Sequence, residues 1–504
     1  ESSAASDVYK RQHLSMGQNR LDYLFSLGAV NNEYWFSKFF PGISYTITAF
    51  LLNVFPKALE TEVLHLINLS ISLSAAYGLT NICKILFNKQ ISRIVFVIFL
   101  LFPTYFGHAS INPKDTVVAV SYIWLTYFIL KYIKKSFKTQ NNNSLILKIA
   151  FFLALGSGVR LAFASLLLPL LFFVFIEIFY FKKIINKKKF SLKLFFFDFL
   201  KIVLFSYFIL VLFWPQAHPN IFIEPFKIFL ETIDAPPVGP PAGLLNGNIY
   251  LAKNTPNNYV ILNLIFKTPE YILLLYLYFI FFVIKYNYFF SKKITNFNYK
   301  LFLIILVLSL TNILFILSPY PMYDGMRLIL FMISFFVLIP GLAFYFLINH
   351  YSYLKFKIML IPVFFLFAIF IVKFLSLTPY QYVYLNYLNG KTINNYSKFE
   401  NDYLTTSVKE LIKKSNFLNN EKAKITFCGM GRGKIKKYLK KYNYSKVRVV
   451  RWEENYDYML LTNRVDWTSI DNLNKAKTCF ESFMNDNVST VERNGLILSA
   501  VQKK

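Results

Sequence analysis

The stretch Tyr323-Asp-Gly-Met-Arg-Leu-Ile-Leu-Phe-Met-Ile-Ser-Phe-Phe336, running on through Val-Leu-Ile-Pro-Gly-Leu-Ala-Phe-Tyr-Phe-Leu347, decides how this chain reads. An aromatic, a carboxylate and a guanidinium stand directly before an apolar run. The hydrocarbon core of a bilayer needs about 20 such residues to cross it. Comparable runs lie at 63–82, 91–107, 115–132, 145–158, 161–181, 194–214, 270–288, 300–318 and 356–376, so about ten spans are expected in all. Composition agrees. The 504 residues are 56% hydrophobic and 16% charged, against about 45–50% and about 25% in a soluble domain. That excludes a soluble enzyme and a disordered tail, and three cysteines exclude a disulfide-knot scaffold or a four-thiolate zinc site.

The net charge of +29 would point to nucleic acid in a soluble protein. In so apolar a chain it reads as basic loops facing an anionic leaflet, and no nucleic-acid partner is expected. Lys and Arg crowd the loops 83–93, 131–148, 181–193, 284–300 and 349–357, and are sparse in 57–62, 108–114, 159–160, 215–269 and 319–327. The first set is therefore cytoplasmic and the second lies outside.

The domain boundaries follow. Residues 1–12 (Glu-Ser-Ser-Ala-Ala-Ser-Asp-Val-Tyr-Lys-Arg-Gln) read as a non-native remnant, residues 13–62 as a first outer loop, 63–376 as the helical membrane domain and 377–504 as an outer soluble domain. Within the first loop, Ile43 to Phe55 is too short to span comfortably and fits an amphipathic or re-entrant helix at the membrane surface. In the tail, β-like runs at Ala423–Cys428, Val447–Trp452, Asp457–Leu461, Val488–Val491 and Leu496–Val501, with helical stretches near 404–415 and 433–442, predict a small α/β domain. Gly429-Met-Gly-Arg-Gly433 matches neither phosphate-loop spacing and reads as a strand-to-helix turn. No metal-ligand spacing appears.

Polar groups beside spans are costly and tend to mark function. Here they gather on the outer side. Lys114 and Asp115 open one span, Arg160 follows another, and Tyr323, Asp324 and Arg327 open a third. Each has an ordinary role open to it: a dipole-stabilising helix start for Asp115, a snorkelling anchor for Arg160, a turn and interface anchor for Asp324 and Arg327. Together, Lys114, Arg160 and Arg327 would make a cationic pocket suited to a phosphate, which arginine grips bidentately. His108, Tyr323, Asp324 and His218 would line it, and the long loop 215–269 would cover it.

With these residues the chain resembles polytopic glycosyltransferases of the GT-C superfamily, of the protein O-mannosyltransferase and aminoarabinose-lipid A transferase type. The resemblance rests on Phe40-Pro-Gly-Ile-Ser-Tyr45, on 106–116 (FGHASINPKDT), on Asn254–Pro269 ending Lys-Thr-Pro, and on Tyr-Asp-Gly-Met-Arg327. In the tail it rests on Pro379-Tyr-Gln-Tyr-Val-Tyr-Leu-Asn386 and Phe399-Glu-Asn-Asp-Tyr403. It implies transfer of a sugar from a polyprenyl-phosphate donor to a lipid, glycan or protein acceptor at the outer face of a bacterial inner membrane, with no organic cofactor. It also implies a carboxylate that activates the acceptor hydroxyl. In the family that acid follows a first span, which this chain is expected to lack. Asp115, Asp22 and Glu33 are the acids that remain for the role. The competing readings are a lipid-glycan transporter, which should show internal repeats and mid-membrane polar residues, and a non-catalytic scaffold, which predicts no clustering of these residues.

Overall fold

The structure, a computed structural model, describes residues 5–31, 38–134, 142–184, 190–234, 240–317, 321–350, 354–390, 397–415, 422–470, 476–483 and 486–504. It is mainly helical. Among the described residues, seven helices are long and apolar enough to cross a membrane: Lys57–Leu86, Asp115–Lys134, Leu192–Leu212, Glu270–Lys293, Phe297–Leu317, Arg327–Asn349 and Phe356–Ser376. The other three expected runs are interrupted or short. The run 91–107 forms Lys89–Leu100 and Pro103–Ala109, bent by 69°. Pro103, lacking an N–H and crowding the preceding turn, starts the second piece. The run 145–158 becomes the 17-residue helix Asn143–Val159. The run 161–181 splits into Phe163–Leu166, Leu168–Ile176 and a π turn at Glu177–Phe181.

Two helices form the axis of the bundle. Asp115–Lys134 is buried over 78% of its apolar window and Arg327–Asn349 over 94%. By contrast, Leu192–Leu212 and Phe356–Ser376 are buried over only 17% and 28%, and they display Phe196, Phe208, Phe364 and Phe365 outward. Such an apolar exterior is stable against lipid and not against water. The molecule is an integral membrane protein.

The expected surface helix exists as Ile43–Leu52, but it is packed in rather than laid flat. Ile43, Tyr45, Ala49 and Leu52 are buried, against helix Ala5–Phe25 on one side and Asn143–Val159 on the other. Gly42 precedes it with φ of 75°, and the Arg20 side chain occupies the space a Cβ would need. Helix Ala5–Phe25 runs without a break across residues 12 and 13.

The loop 215–269 is more structured than its length suggested. It holds the helix Glu224–Asp234, a hairpin of β1 (Ala242–Leu245) and β2 (Asn248–Leu251), and the helix Tyr259–Lys267. Asn246 and Gly247, with φ of 48° and 87°, make the left-handed pair that a two-residue hairpin turn requires. Most of the Pro-rich segment 235–243 lies outside the described residues.

The tail forms a five-stranded sheet in the order β4-β3-β5-β7-β6. Its strands are β3 (Lys424–Phe427), β4 (Arg448–Val449), β5 (Tyr458–Thr462), β6 (Asn487–Arg493) and β7 (Leu496–Lys503). β3 pairs in parallel with both β4 and β5, while β7 is antiparallel to β5 and β6. Helix Arg432–Lys441 follows β3 through the glycine turn. Cys428 and Cys479 form a disulfide.

The tail joins the bundle by close backbone approach. Gly107, on the short bent helix, lies against the Tyr382 backbone, and a Cβ would collide with it. Gly433, exposed in the first turn of helix Arg432–Lys441, meets nothing. Gly107→Ala is therefore expected to lower the thermal stability of the detergent-purified chain by about 1–3 kcal/mol through overpacking. Gly433→Ala is expected to leave it unchanged or raised, as read by the two unfolding midpoints.

Candidate functional site

The site begins where the two axial helices begin. Pro113 and Asn112 turn the chain into helix Asp115–Lys134. The Asn112 side-chain oxygen accepts from the backbone nitrogens of Lys114 and Asp115 at 3.2 and 3.0 Å, and its amide donates to Asp115 Oδ2 at 2.9 Å. Asp115 is thereby aimed before any cation touches it. Its other oxygen takes the Arg160 guanidinium. Arg160 caps the C-terminus of helix Asn143–Val159, the end at which a positive charge is favourable.

The second half of the site is the turn before the other axial helix. Asp324 and Gly325 both adopt left-handed backbone, with φ of 55° and 64°. Lys267 fills the space beside Gly325, and the positive φ there strains any larger residue. Arg327 then lies with Nε 3.3 Å from Asp324 Oδ2 and 4.0 Å from Asp115 Oδ2. Its guanidinium stacks over the rings of Tyr323 and Tyr403 at 4.6 and 5.3 Å. His108 is buried beside Tyr382 and Tyr403, at 5.4 and 4.7 Å between ring centres.

The tail supplies the rest. Arg464, just past the end of β5, donates from Nη2 to Asp324 Oδ1 at 2.7 Å and lies 4.0 Å from Glu400 Oε1. Glu400 in turn accepts from the Asp324 backbone nitrogen at 3.3 Å. The residues thus form a line of alternating charge: Arg160, Asp115, Arg327, Asp324, Arg464, Glu400. Two lysines flank it, Lys267 buried and Lys114 half-buried. Lys114 holds its ammonium 4.0 Å over the Phe40 ring, and Lys267 lies 5.8 Å over Phe399.

Burial and neighbours set the charges. Burial opposes ionisation of Asp324, but Arg464 and Arg327 more than offset it and hold its carboxyl below the usual range. Glu400 goes the other way. Burial raises it to about 7, Arg464 offsets only part, and Asp324 adds repulsion. Burial brings Lys267 down to about 8, and burial with Arg160 nearby lowers Lys114. The space between Lys267, His108, Asp324, Glu400 and Asp402 is a cavity of only about 10 Å³, room for about one water.

Among the sequence candidates, Lys114, Asp115, Arg160, Tyr323, Asp324, Arg327 and His108 come together here. His218 does not join them. It bonds Tyr23 and the Val211 carbonyl, in a separate cluster around Trp214. Asp22 accepts from Gln18 on helix Ala5–Phe25, and Glu33 lies outside the described residues. The described residues hold no group of His, Cys, Asp and Glu able to bind a metal. Arg464, Glu400 and Lys267 were not foreseen. Glu400 and Lys267 stand within quoted segments. Arg464 had a subtler signal, since it follows the carboxyl end of a parallel strand, where open sheets place their ligands.

The disulfide braces Arg464. Cys479 donates its backbone N–H to the Arg464 carbonyl at 2.8 Å, and Cys428 bonds β5 through Leu460. Removing one partner of a buried ion pair costs about 3–5 kcal/mol. Arg464→Met should therefore lower the unfolding midpoint strongly. Arg464→Met with Asp324→Asn should recover part of the loss in a double-mutant cycle, because no ionised Asp324 is then left without its nearer cation.

No family model matches the chain, and no curated protein matches it. Among solved structures it is similar to ArnT from Cupriavidus metallidurans bound to undecaprenyl phosphate, with 10% identity and a TM-score of 0.45 over 99% of this chain and 96% of that one. It is also similar to the same protein in the apo state, again with 10% identity and a TM-score of 0.45, over 97% and 93%.

Proposed function

We propose that this chain is a membrane glycosyltransferase that moves a sugar from a polyprenyl-phosphate donor to a hydroxylated acceptor. The observation that carries this reading is the charge line, seated at the N-terminal ends of the two most buried helices and flanked by Lys114 and Lys267. Helix N-termini and backbone N–H groups favour an anion. With the acids ionised the line itself is neutral, so Lys267, with a value of about 8, leaves a cationic excess for a phosphate at neutral pH.

In this mechanism the donor phosphate takes over ligands of Arg160 and Arg327 now held by carboxylates. As the bond between the anomeric carbon and the phosphate oxygen breaks, negative charge collects on that oxygen. Fixed guanidinium groups in a water-poor site stabilise such charge without reorganising. Asp115 and Asp324 orient the arginines. The acceptor oxygen forms the new bond to the anomeric carbon, and its proton passes to a carboxylate of the site.

The resemblance to GT-C enzymes supports an acceptor site on the outer face of a bacterial inner membrane. The Cys428–Cys479 disulfide supports the same side for the tail, since such bonds persist in oxidising compartments.

Two outcomes test the proposal. Arg327→Ala is expected to weaken binding of undecaprenyl phosphate to the nanodisc-embedded chain about tenfold or more, given about 1.5–3 kcal/mol for a hydrogen bond to a charged group. Asp22→Asn should leave it unaltered. Equal affinity in the native chain and Arg327→Ala would remove the phosphate site. The pH dependence follows from Glu400, whose folded value near 7 exceeds its ordinary one. Its neutral form leaves the site one positive charge richer below pH 7, and that charge is lost as pH rises through 7. Lipid-phosphate affinity should therefore fall across that window by more in the native chain than in Glu400→Gln, where this component is absent.

A further inference from the structure

Helix Glu224–Asp234 turns its apolar side away from the protein. Phe222, just before it, is 69% exposed, and Phe226 and Leu230 within it are 66% and 60% exposed, with Phe229 beside them. At 3.6 residues per turn, Phe226, Phe229 and Leu230 share one face, while Glu224, Lys227 and Glu231 share another. Pro225 and Ile228 are the buried side, toward the bundle. A contiguous apolar surface of this kind, edged by charge, marks a place where something docks.

The path of the chain says what covers it. The 3₁₀ turn Pro215–Asn220 follows the membrane helix Leu192–Leu212 after two residues. His218 bonds the Val211 carbonyl at 2.9 Å, and the Tyr207 hydroxyl donates to the Ile221 carbonyl. Tyr207 stands five residues before the end of that membrane helix, about 7–8 Å at 1.5 Å per residue. Residues 221–223 therefore return beside the last turns of the membrane helix instead of rising away from them. Those turns are bare as well, with Phe208 and Leu212 exposed, and on a membrane-spanning helix such a surface faces lipid. The phenylalanine face of the second helix continues it.

The packing also fixes the level. Ile228 lies in one cluster with Val211, Trp214 and Ala217, and Leu161, the residue after Arg160, packs against them. Helix Glu224–Asp234 is thus at the end of the bundle that carries the charge line. Trp214 donates to the Lys38 carbonyl at 2.9 Å, and Lys38 pairs with Glu231. Two residues on, the Phe40 ring lies under the Lys114 ammonium. What holds this helix in place therefore also holds one edge of the charge line.

We infer that helix Glu224–Asp234 is an in-plane membrane anchor. It lies in the leaflet at the charge-line end, with Phe222, Phe226, Phe229 and Leu230 among the acyl chains and Glu224, Lys227 and Glu231 toward the headgroups. Amphipathic helices of this pattern bury their apolar side about 5–10 Å into that boundary. The occupant is lipid and not a second copy of the chain, because the face is continuous with the lipid-facing side of Leu192–Leu212. Its charges are also paired within the chain, Glu224 with Lys227 and Glu231 with Lys38. The anchor sets where residues 38–40 stand in the leaflet, and so the height at which Lys114 meets a lipid headgroup. It does not rest on the transferase reading.

The test uses the full chain in phosphatidylcholine nanodiscs and spin-label accessibility, with oxygen as the collider in acyl chains and a nickel chelate as the collider in water. Cys83 is buried and Cys428 is joined to Cys479, so an introduced cysteine takes the label. Phe226→Cys and Leu230→Cys replace exposed side chains and should keep the native unfolding midpoint. Their oxygen-to-chelate collision ratio should approach that of Phe208→Cys on the membrane helix and exceed that of Lys227→Cys. A ratio no higher than at Lys227→Cys puts the face in water and overturns the anchor. Low collision with both reagents, with dipolar broadening between labels on two copies, makes the face a dimer contact and overturns it too. A second arm needs no substitution. Phosphatidylcholine with a diazirine in one acyl chain should label the peptide 222–230 of the native chain, and label confined to Leu192–Leu212 would overturn the anchor. None of these readouts depends on sugar transfer.

Discussion

Arg327 starts the most deeply buried of the candidate spans, at the end where the backbone dipole is itself positive, and its side chain is buried. Asp115 and Asp324 are what make it tolerable there. Each of those acids needs a second cation in turn, which brings in Arg160 on one side and Arg464 on the other. Much of the architecture can be read as the means of bringing these four partners to one place. The Asn112 turn aims Asp115, the left-handed pair at 324–325 aims Asp324, the end of helix Asn143–Val159 carries Arg160, and the tail sheet delivers Arg464. Charges are costly within a bilayer's hydrocarbon, and the line stands at the starts of both axial helices.

The parts of this design that were legible in the sequence are those written locally. Apolar runs of bilayer length, a carboxylate or guanidinium directly before them, and the alternating strands of the tail can each be read within a window of twenty residues. The strand at 458–462 and the glycine turn into helix Arg432–Lys441 were visible for that reason. Hydropathy is blind to backbone continuity, which is why 91–107 read as one span although Pro103 breaks it. It is equally blind to partners distant in the chain. Arg464 and Asp324 are 140 positions apart, and no periodicity links a strand end in one domain with a turn in another. In the loop 215–269, Asn246-Gly247 is a hairpin signal of the same local kind.

The hairpin and the tail cover the site together. Val465 packs into a small apolar cluster with Ala242 and Leu244 of the hairpin, so the residue beside Arg464 is held by one element while its guanidinium serves another. Leu245 also bridges Phe399, next to Glu400. The hairpin, the soluble domain and the membrane turn are therefore packed on one another, and the space left beside Lys267 and Asp402 is a cavity of only about 10 Å³.

The chain's own direction gives the Arg464 contact a further meaning. A ribosome delivers Arg464 140 residues after Asp324, when the bundle has already been made. Until then Asp324 has lost the nearer of its two cations, and an under-paired carboxylate strongly resists burial. The half-made protein must therefore keep that turn open to water, and the site closes only when the sheet has formed and docked. Burial of that turn therefore depends on a contact the bundle cannot make by itself, because Asp324 gains its nearer cation only with the tail.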